Sequence, residues 1–206
     1  MKTLYEDEIV LVIDKPAGVN SDDFKRRVHR LDKDTSGILL IAKDDKTLDF
    51  LQKQFQERKV EKKYLTLVVG NLKSKEVEIK TLLGRSPKDR RKQKVFLSQD
   101  PKAKGKRETV TKYKVLKSIG NYDLIEAEPK TGRKHQIRAQ LAYLGHPVAG
   151  DKLYGFKNQA RPKGLKRQFL HANYLKFKLP NGETKELKSK LPDELNKIIK
   201  SLEISN

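Results

Sequence analysis

Short apolar runs separated by turn-forming residues constrain the fold of this chain more than any other feature. Residues 9–13 (IVLVI) and 38–42 (ILLIA) are two such runs, each too short for a typical helix, and residues 108–119 and 122–128 are read as two later strands. Gly120-Asn121 joins these two later strands and is a strong hairpin signal. Because hairpins outnumber strand–helix–strand units, we expect an α+β fold with a mixed, largely antiparallel sheet flanked by helices and loops.

Three stretches carry helical rather than strand periodicity. Asp44 can cap a helix over residues 45–58, and Pro192 can open another near the carboxyl end. The third helix is expected over residues 134–144. Gly70-Asn71 also predicts that residues 62–69 and 77–83 pair as a hairpin.

The balance of charge points to a polyanionic partner. Lys and Arg number 47 against 27 Asp and Glu, which gives a net charge of +20 and a pI of about 9.9. Lysine-rich surfaces also occur in thermophilic proteins and in proteins of AT-rich genomes, but those surfaces usually carry a matching number of Glu. This chain does not. We therefore expect nucleic acid, and residues 84–106 read as a basic loop or hairpin that touches phosphate.

Several classes of protein are excluded or disfavoured by what the sequence lacks. The chain has no Cys, which excludes disulfides, thiolate metal sites and Cys nucleophiles. No apolar run reaches the length of a membrane span, and the first residues are acidic rather than basic, so we expect a cytoplasmic protein without membrane partners. Metal-ligand spacings, phosphate loops and nucleotide fingerprints are missing, and we expect neither metal nor cofactor.

The stretch VHRLDKDTSG holds the most prominent carboxylate. Asp32 follows Arg30 by two residues and precedes an apolar strand. A carboxylate can act as a covalent nucleophile when it stays ionised, and a neighbouring arginine favours that state. The alternative is that Asp32 is a turn or capping residue, and the local spacing leaves both open.

Two further residues stand out. In TGRKHQIRAQL, a helix with Ile137 and Leu141 inward leaves Arg138 at the border of the buried face. A partly buried arginine requires an acidic partner, for which an Asp of another motif is the natural choice, although a structural ion pair or a phosphate clamp fits as well. Tyr64 lies in an alternating strand, where it either packs or offers a stacking surface for a base.

Six motifs occur in order along the chain: KPAGV, HRLDKDTSG, KKYLTLV, TGRKHQIR, LGHPVAGDKLYG and FLHANYL. Together they resemble the RluA-type pseudouridine synthases over roughly residues 5–190. The resemblance implies a cofactor-free isomerase that converts uridine in RNA to pseudouridine, with an active-site cleft across the sheet. From the length of the chain we expect one catalytic domain over residues 1–206, acting as a monomer. The S4-type RNA-binding domain found ahead of many relatives is not expected in this chain, which is a departure from them.

The resemblance assigns roles to individual residues. It implies that Asp32 is the catalytic aspartate, Tyr64 stacks on the target base, Arg138 pairs with Asp32, and Arg30 fills the space left by the extracted base. Residues 35–37 would shape the turn that presents Asp32. The further residues expected to contact RNA are His29, Arg85, Arg90, Arg91, Lys92, Arg133 and His135.

The expected substrate is RNA whose target base leaves its stack. Large-subunit ribosomal RNA is our first expectation and transfer RNA the second. A non-catalytic RNA-binding or ribosome-assembly protein on the same fold is the rival interpretation. One departure from the family pattern is Ala139-Gln140, where Val-His is common after the motif arginine.

Overall fold

A computed structural model describes residues 1–159 and 161–204. The chain divides into two compact units: unit 1 comprises Met1–Tyr64 and His171–Pro192, and unit 2 comprises Leu65–Leu170 and the chain from Asp193 onward. In chain order the main elements are β1 (Lys2–Glu6), β2 (Val10–Lys15), β3 (Ser36–Ala42), α1 (Asp45–Gln56), β4 (Glu61–Val69), β5 (Glu76–Arg85), β6 (Gln93–Phe96), β7 (Arg107–Ile119), β8 (Tyr122–Pro129), α2 (Gln136–Tyr143), β9 (Leu170–Lys178), β10 (Thr184–Lys188) and α3 (Asp193–Ile204). The predicted α+β class is confirmed.

Unit 1 is built on strands in the order β1-β2-β3-β9, with β10 paired to β9. The pair β3–β9 is parallel, and β1–β2, β2–β3 and β9–β10 are antiparallel. Alternate residues of β2 and β3 face opposite sides, as the two-residue period of a strand requires. Val12 and Leu40 pack with Leu51 of α1 on one side, and Ile13 and Leu39 lie on the other.

Unit 2 contains an antiparallel array in the order β8-β7-β5-β6. Helix α2 packs Ala139 against Leu83 of β5 and Val95 of β6. Beside this apolar contact, the fully buried side chain of Gln140 hydrogen-bonds to threonines of β5 and β7, with its Oε1 accepting from Thr111 at 2.6 Å. The face of α2 that packs against these strands is therefore partly polar.

The sequence predicted α1 and the β7–β8 hairpin correctly. The Asp44 side chain accepts a hydrogen bond from the Thr47 amide at 2.7 Å and caps α1, and β7 pairs with β8 across Gly120-Asn121. Helix α2 begins later than predicted, because His135 adopts a left-handed conformation with φ of 55°. Two short strands, β1 and β10, had no clear signal in the sequence.

The predicted hairpin between β4 and β5 is wrong. Strand β5 pairs with β6 and β7 instead. The residues after β4 dock on the β7–β8 turn: the Gly70 amide donates to the Asn121 carbonyl, and the Leu72 amide donates to the Asp123 carboxylate at 2.7 Å. Gly70-Asn71 therefore lies in a longer connection between β4 and β5 rather than in a tight turn.

Among the residues that the structure describes, no helix is long and apolar enough to cross a membrane.

Candidate active site

The loop that carries Asp32 is held on both sides of that residue. Before it, the Oγ of buried Ser21 accepts from the Leu31 amide and donates to the Leu31 carbonyl, both at 2.9 Å. After it, the Lys33 carbonyl accepts from the Gly18 amide at 2.9 Å. Asp32 itself is half-buried. Its backbone position is therefore fixed by contacts to a distant part of the chain.

Lys15, in the KPAGV motif, also contacts this loop. Its side chain is fully buried, and Nζ donates to the carbonyls of Pro16, Val19 and Lys33 at 2.8, 2.9 and 3.1 Å. A buried ammonium is tolerated where hydrogen bonds replace its water shell. The lysine thereby fastens the KPAGV turn to the residue that follows Asp32.

Tyr64 lies in unit 1 with Asp32. Its side chain is half-buried on β4. Burial raises the pKa of the Tyr64 hydroxyl above its ordinary value, and the negative charge of Asp32 raises it further. The structure therefore brings Tyr64 and Asp32 within electrostatic range of each other, with the phenol un-ionised.

His29 and Arg30 precede Asp32 and have different surroundings. The His29 ring stacks on Phe55 at 4.9 Å between centroids, and its Nε2 accepts from the Leu40 amide at 3.2 Å. Burial, followed by the charge of Lys62, lowers the pKa of His29 to about 3, so the ring is neutral at physiological pH. Arg30 is exposed and lies 3.8 Å from the Asp22 carboxylate.

The residues after Asp32 form a turn and enter β3. The Thr35 amide donates to the Asp32 carbonyl at 3.0 Å. Ser36 Oγ lies 2.9 Å from Nδ1 of fully buried His171, and this contact joins the HRLDKDTSG motif to the FLHANYL motif. Gly37 has φ of +116°, and a Cβ there would lie 2.2 Å from the Ala172 carbonyl oxygen. Only glycine fits this approach of β3 to β9.

Arg138 lies in unit 2, on α2, and is buried. Its Nε and Nη2 donate to the two carboxylate oxygens of Asp151 at 2.7 and 2.9 Å. Burial opposes ionisation of Asp151, but the hydrogen bonds and charge of Arg138 outweigh it and lower the pKa of that carboxyl. Asp151 belongs to LGHPVAGDKLYG, so the arginine has an acidic partner from another motif. The pairing of Arg138 with Asp32 stays a prediction.

The other residues expected to contact RNA all lie in unit 2. Four of them are on or beside the β5–β6 hairpin, where Arg91 is paired with Asp89 at 2.9 Å. Near α2, Arg133 is exposed, and His135 Nδ1 lies 3.0 Å from the Tyr154 hydroxyl. The hairpin residues are Arg85, Arg90 and Arg91, which are exposed, and Lys92, which is half-buried.

Within the described part of the chain, no cluster of three or more His, Cys, Asp or Glu side chains could hold a metal ion.

Comparison with known proteins identifies the family. Residues 23–143 match the family described as RNA pseudouridylate synthase. The chain belongs to this family. The resemblance to RluA-type pseudouridine synthases is confirmed, and with it the activity: the chain is an RNA pseudouridine synthase, an isomerase whose substrate is RNA.

Individual relatives agree with this assignment. The chain is 34% identical over 227 residues to a ribosomal large subunit pseudouridine synthase C of Vibrio parahaemolyticus, covering 98% of this chain and 70% of that protein. It is 33% identical over 241 residues to a ribosomal large subunit pseudouridine synthase D of Borreliella burgdorferi, covering 97% and 72%. The solved structure of human RNA pseudouridylate synthase domain containing 4 superposes with a TM-score of 0.82 and 25% identity, covering 97% of this chain and 92% of that one.

Sequence reasoning missed the buried polar residues that hydrogen-bond to the candidate site residues, or to their chain neighbours, within each unit. Lys15, Asp151 and Tyr154 lie in motifs that were singled out, but no local pattern shows that a lysine turns inward or which arginine an aspartate meets. Ser21 belongs to no motif. Buried polar pairs depend on tertiary contacts, so their signal appears only in the folded chain.

Proposed function

We propose that Asp32 is the catalytic carboxylate of this synthase, that Tyr64 stacks on the target uracil, and that Arg138 pairs with Asp32. The observation that supports this most is the fixed placement of Asp32, whose two chain neighbours are hydrogen-bonded by Ser21 and Lys15. A reacting group held in one geometry reacts faster than a mobile one. The half-buried phenol of Tyr64 lies within electrostatic range of the Asp32 carboxylate.

The reaction needs no outside reagent. The C1′–N1 bond of uridine breaks, the uracil turns while bound, and a C1′–C5 bond forms. C5 then loses its proton and N1 gains one, so atoms and electrons balance without an oxidant or an energy source. In this proposal Asp32 faces the reacting nucleotide, while Tyr64 gives the detached uracil a flat surface that partly replaces the stacking lost on extraction.

The proposed substrate is large-subunit ribosomal RNA. Two relatives at 33% and 34% identity carry that substrate class in their names. The proposed contacts to the RNA backbone come from the exposed basic residues of the β5–β6 hairpin, with Arg133 and His135 beside α2. Arg30, exposed next to Asp32, would fill the gap left by the extracted base, and His29 would support that loop.

We further propose that residues 1–206 act as one catalytic domain, as a monomer, in the cytoplasm. The net charge of +20 supports a monomeric state in the absence of RNA, because like-charged chains repel. Size-exclusion chromatography with light scattering of the purified chain tests the oligomeric state, and a dimer mass would contradict it.

The substrate is tested by mapping pseudouridine across all RNA of a strain lacking this protein. We expect one or more sites in large-subunit ribosomal RNA to disappear and to return with the wild-type gene but not with Asp32→Ala. Loss confined to transfer RNA would overturn the ribosomal assignment. Restoration by Asp32→Ala would overturn the catalytic role of Asp32.

A further inference from the structure

Tyr154 contacts both the basic hairpin and the buried arginine within unit 2. Its hydroxyl accepts a hydrogen bond from the Gln93 amide at 2.6 Å. The guanidinium carbon of Arg138 lies 5.2 Å from the centroid of its ring, within the range of a cation–π contact. Tyr154 is buried, with 8% of its surface exposed, so both contacts are shielded from water.

Asp151 links the same tyrosine to the same arginine by a second route. Its Oδ1 accepts from the Tyr154 amide at 3.0 Å and from Arg138 Nη2 at 2.9 Å. One carboxylate therefore fixes the backbone of Tyr154 and the head group of Arg138 together. A bidentate arginine–carboxylate pair sets the plane of the guanidinium as well as its position.

The third route passes through His135, which precedes α2. Its Nδ1 lies 3.0 Å from the Tyr154 hydroxyl, and the two rings meet edge to face at 5.6 Å. A phenol that accepts from the Gln93 amide retains its own proton, which it can donate to Nδ1 in the Nε2–H tautomer of His135. Arg138 follows three residues later on α2.

Gln93, whose amide donates to the Tyr154 hydroxyl, is the first residue of β6. It directly follows the basic tip of the β5–β6 hairpin (residues 86–92). The tip is closed by hydrogen bonds from the Ser86 amide to the Lys92 carbonyl at 3.0 Å and from the Lys92 amide to the Asp89 carbonyl at 2.9 Å. The Lys92 ammonium also lies 6.0 Å from the Tyr154 ring centroid. The base of the tip is therefore held by the tyrosine.

We propose that Tyr154 is a positioning residue that ties the basic tip of the β5–β6 hairpin to Arg138. RNA backbone bound at the tip then has a fixed offset from the arginine head group. This proposal rests on the role proposed above for Arg138. Loss of the tie lets the tip move relative to Arg138, which lowers the rate of isomerisation more than the affinity for RNA.

The variant Tyr154→Phe tests the tie, since it removes the hydroxyl and keeps the ring. The matched control is Tyr113→Phe, which removes another buried hydroxyl of unit 2, one that bonds to Gln140 at 3.1 Å. We expect faster exchange of the Gln93 amide proton in Tyr154→Phe only. We also expect its single-turnover rate constant at saturating RNA to fall about tenfold or more, with RNA affinity nearly unchanged, while Tyr113→Phe keeps the wild-type rate.

Arg138→Lys, measured alongside, separates this proposal from the one on which it rests. A wild-type rate in Tyr154→Phe with a depressed rate in Arg138→Lys overturns the positioning role of Tyr154 alone. Wild-type rates in both variants overturn the assignment of Arg138 itself. Equal rate losses in Tyr154→Phe and Tyr113→Phe, matched by equal losses of unfolding free energy, show a merely structural role and also overturn the proposal.

Discussion

At the scale of single residues, the position of Asp32 is set by hydrogen bonds to the residues on either side of it. Ser21 bonds to both backbone groups of Leu31, and Lys15 reaches the Lys33 carbonyl. Supporting contacts of this kind decide whether a reactive group keeps its productive geometry. The residues behind the loop should therefore affect rate as well as stability.

Ser21→Ala tests this support directly. The change leaves the Leu31 amide and carbonyl without their side-chain partner, and we expect a loss of about 1–3 kcal/mol in the free energy of unfolding. Urea denaturation measures that loss, and a pseudouridine assay should show a slower reaction. Exposed Ser74, changed to Ala, is the control. Unchanged stability and rate in Ser21→Ala would show that the loop is held without this serine.

Gly37→Ala tests the close approach of β3 to β9. The new Cβ would lie 2.2 Å from the Ala172 carbonyl oxygen, at a positive φ. We expect a loss of about 2–5 kcal/mol in the free energy of unfolding, from the backbone clash and the strained dihedral together. Gly18→Ala is the matched control, because its φ is also positive and nothing lies within 4 Å of the added carbon. Equal losses in the two variants would contradict the clash.

His29 predicts a specific pH dependence of stability. Its pKa is lowered on folding from about 6.5 to about 3, so between these values the unfolded chain binds a proton that the folded chain does not. The free energy of unfolding must then fall as pH decreases below about 6.5 and level off near about 3. Urea denaturation at several pH values should show a weaker slope in His29→Gln than in the wild type. Identical slopes would show that the ring titrates normally in the folded protein.

At the scale of elements, the β5–β6 hairpin and the β5–β7 pair differ in how many of their basic side chains have an acidic partner. Lys112 and Lys114 of β7 lie opposite Glu78 and Glu76 of β5 and are paired with them. At the hairpin tip, basic residues outnumber the single acidic residue, Asp89. Cations without nearby carboxylates are the more effective at replacing counterions on RNA.

Neutralising the hairpin should weaken RNA binding in a salt-dependent way. For Arg85→Gln combined with Arg90→Gln, we expect the slope of log affinity against log salt to decrease by about 0.7–0.9 for each RNA phosphate that the variant no longer neutralises. Lys112→Gln combined with Lys114→Gln is a control with the same change of charge. Filter binding from low to high salt gives both slopes. Equal reductions would mean that overall charge, rather than the hairpin, determines RNA binding.

The sequence predicted elements well where the signal was local. The cap at Asp44 and the turn at Gly120-Asn121 depend on neighbouring residues alone, and both are found in the structure. Gly70-Asn71 carried a similar turn signal, but hydrogen bonds to Asn121 and Asp123 draw it into a longer connection. The pairing of β5 therefore could not be read from the residues beside it.

At the scale of the whole molecule, the ordered motifs predicted family and activity, whereas side-chain partners depended on the fold. The periodicity of α2 predicted a partly buried Arg138 with an acidic partner, but Asp151 is thirteen residues away along the chain. Gln140, which departs from the family pattern, is accommodated by threonines from β5 and β7. Such compensation joins distant positions and has no local signature.

The most direct test of the central claim compares Asp32→Asn with the wild type on large-subunit ribosomal RNA. Asparagine preserves the shape of the side chain and removes its charge. We predict no pseudouridine from the variant under single-turnover conditions, with RNA affinity within about threefold of the wild type because phosphate contacts dominate binding. Pseudouridine formed by Asp32→Asn at the wild-type rate would contradict the assignment of Asp32 as the catalytic residue.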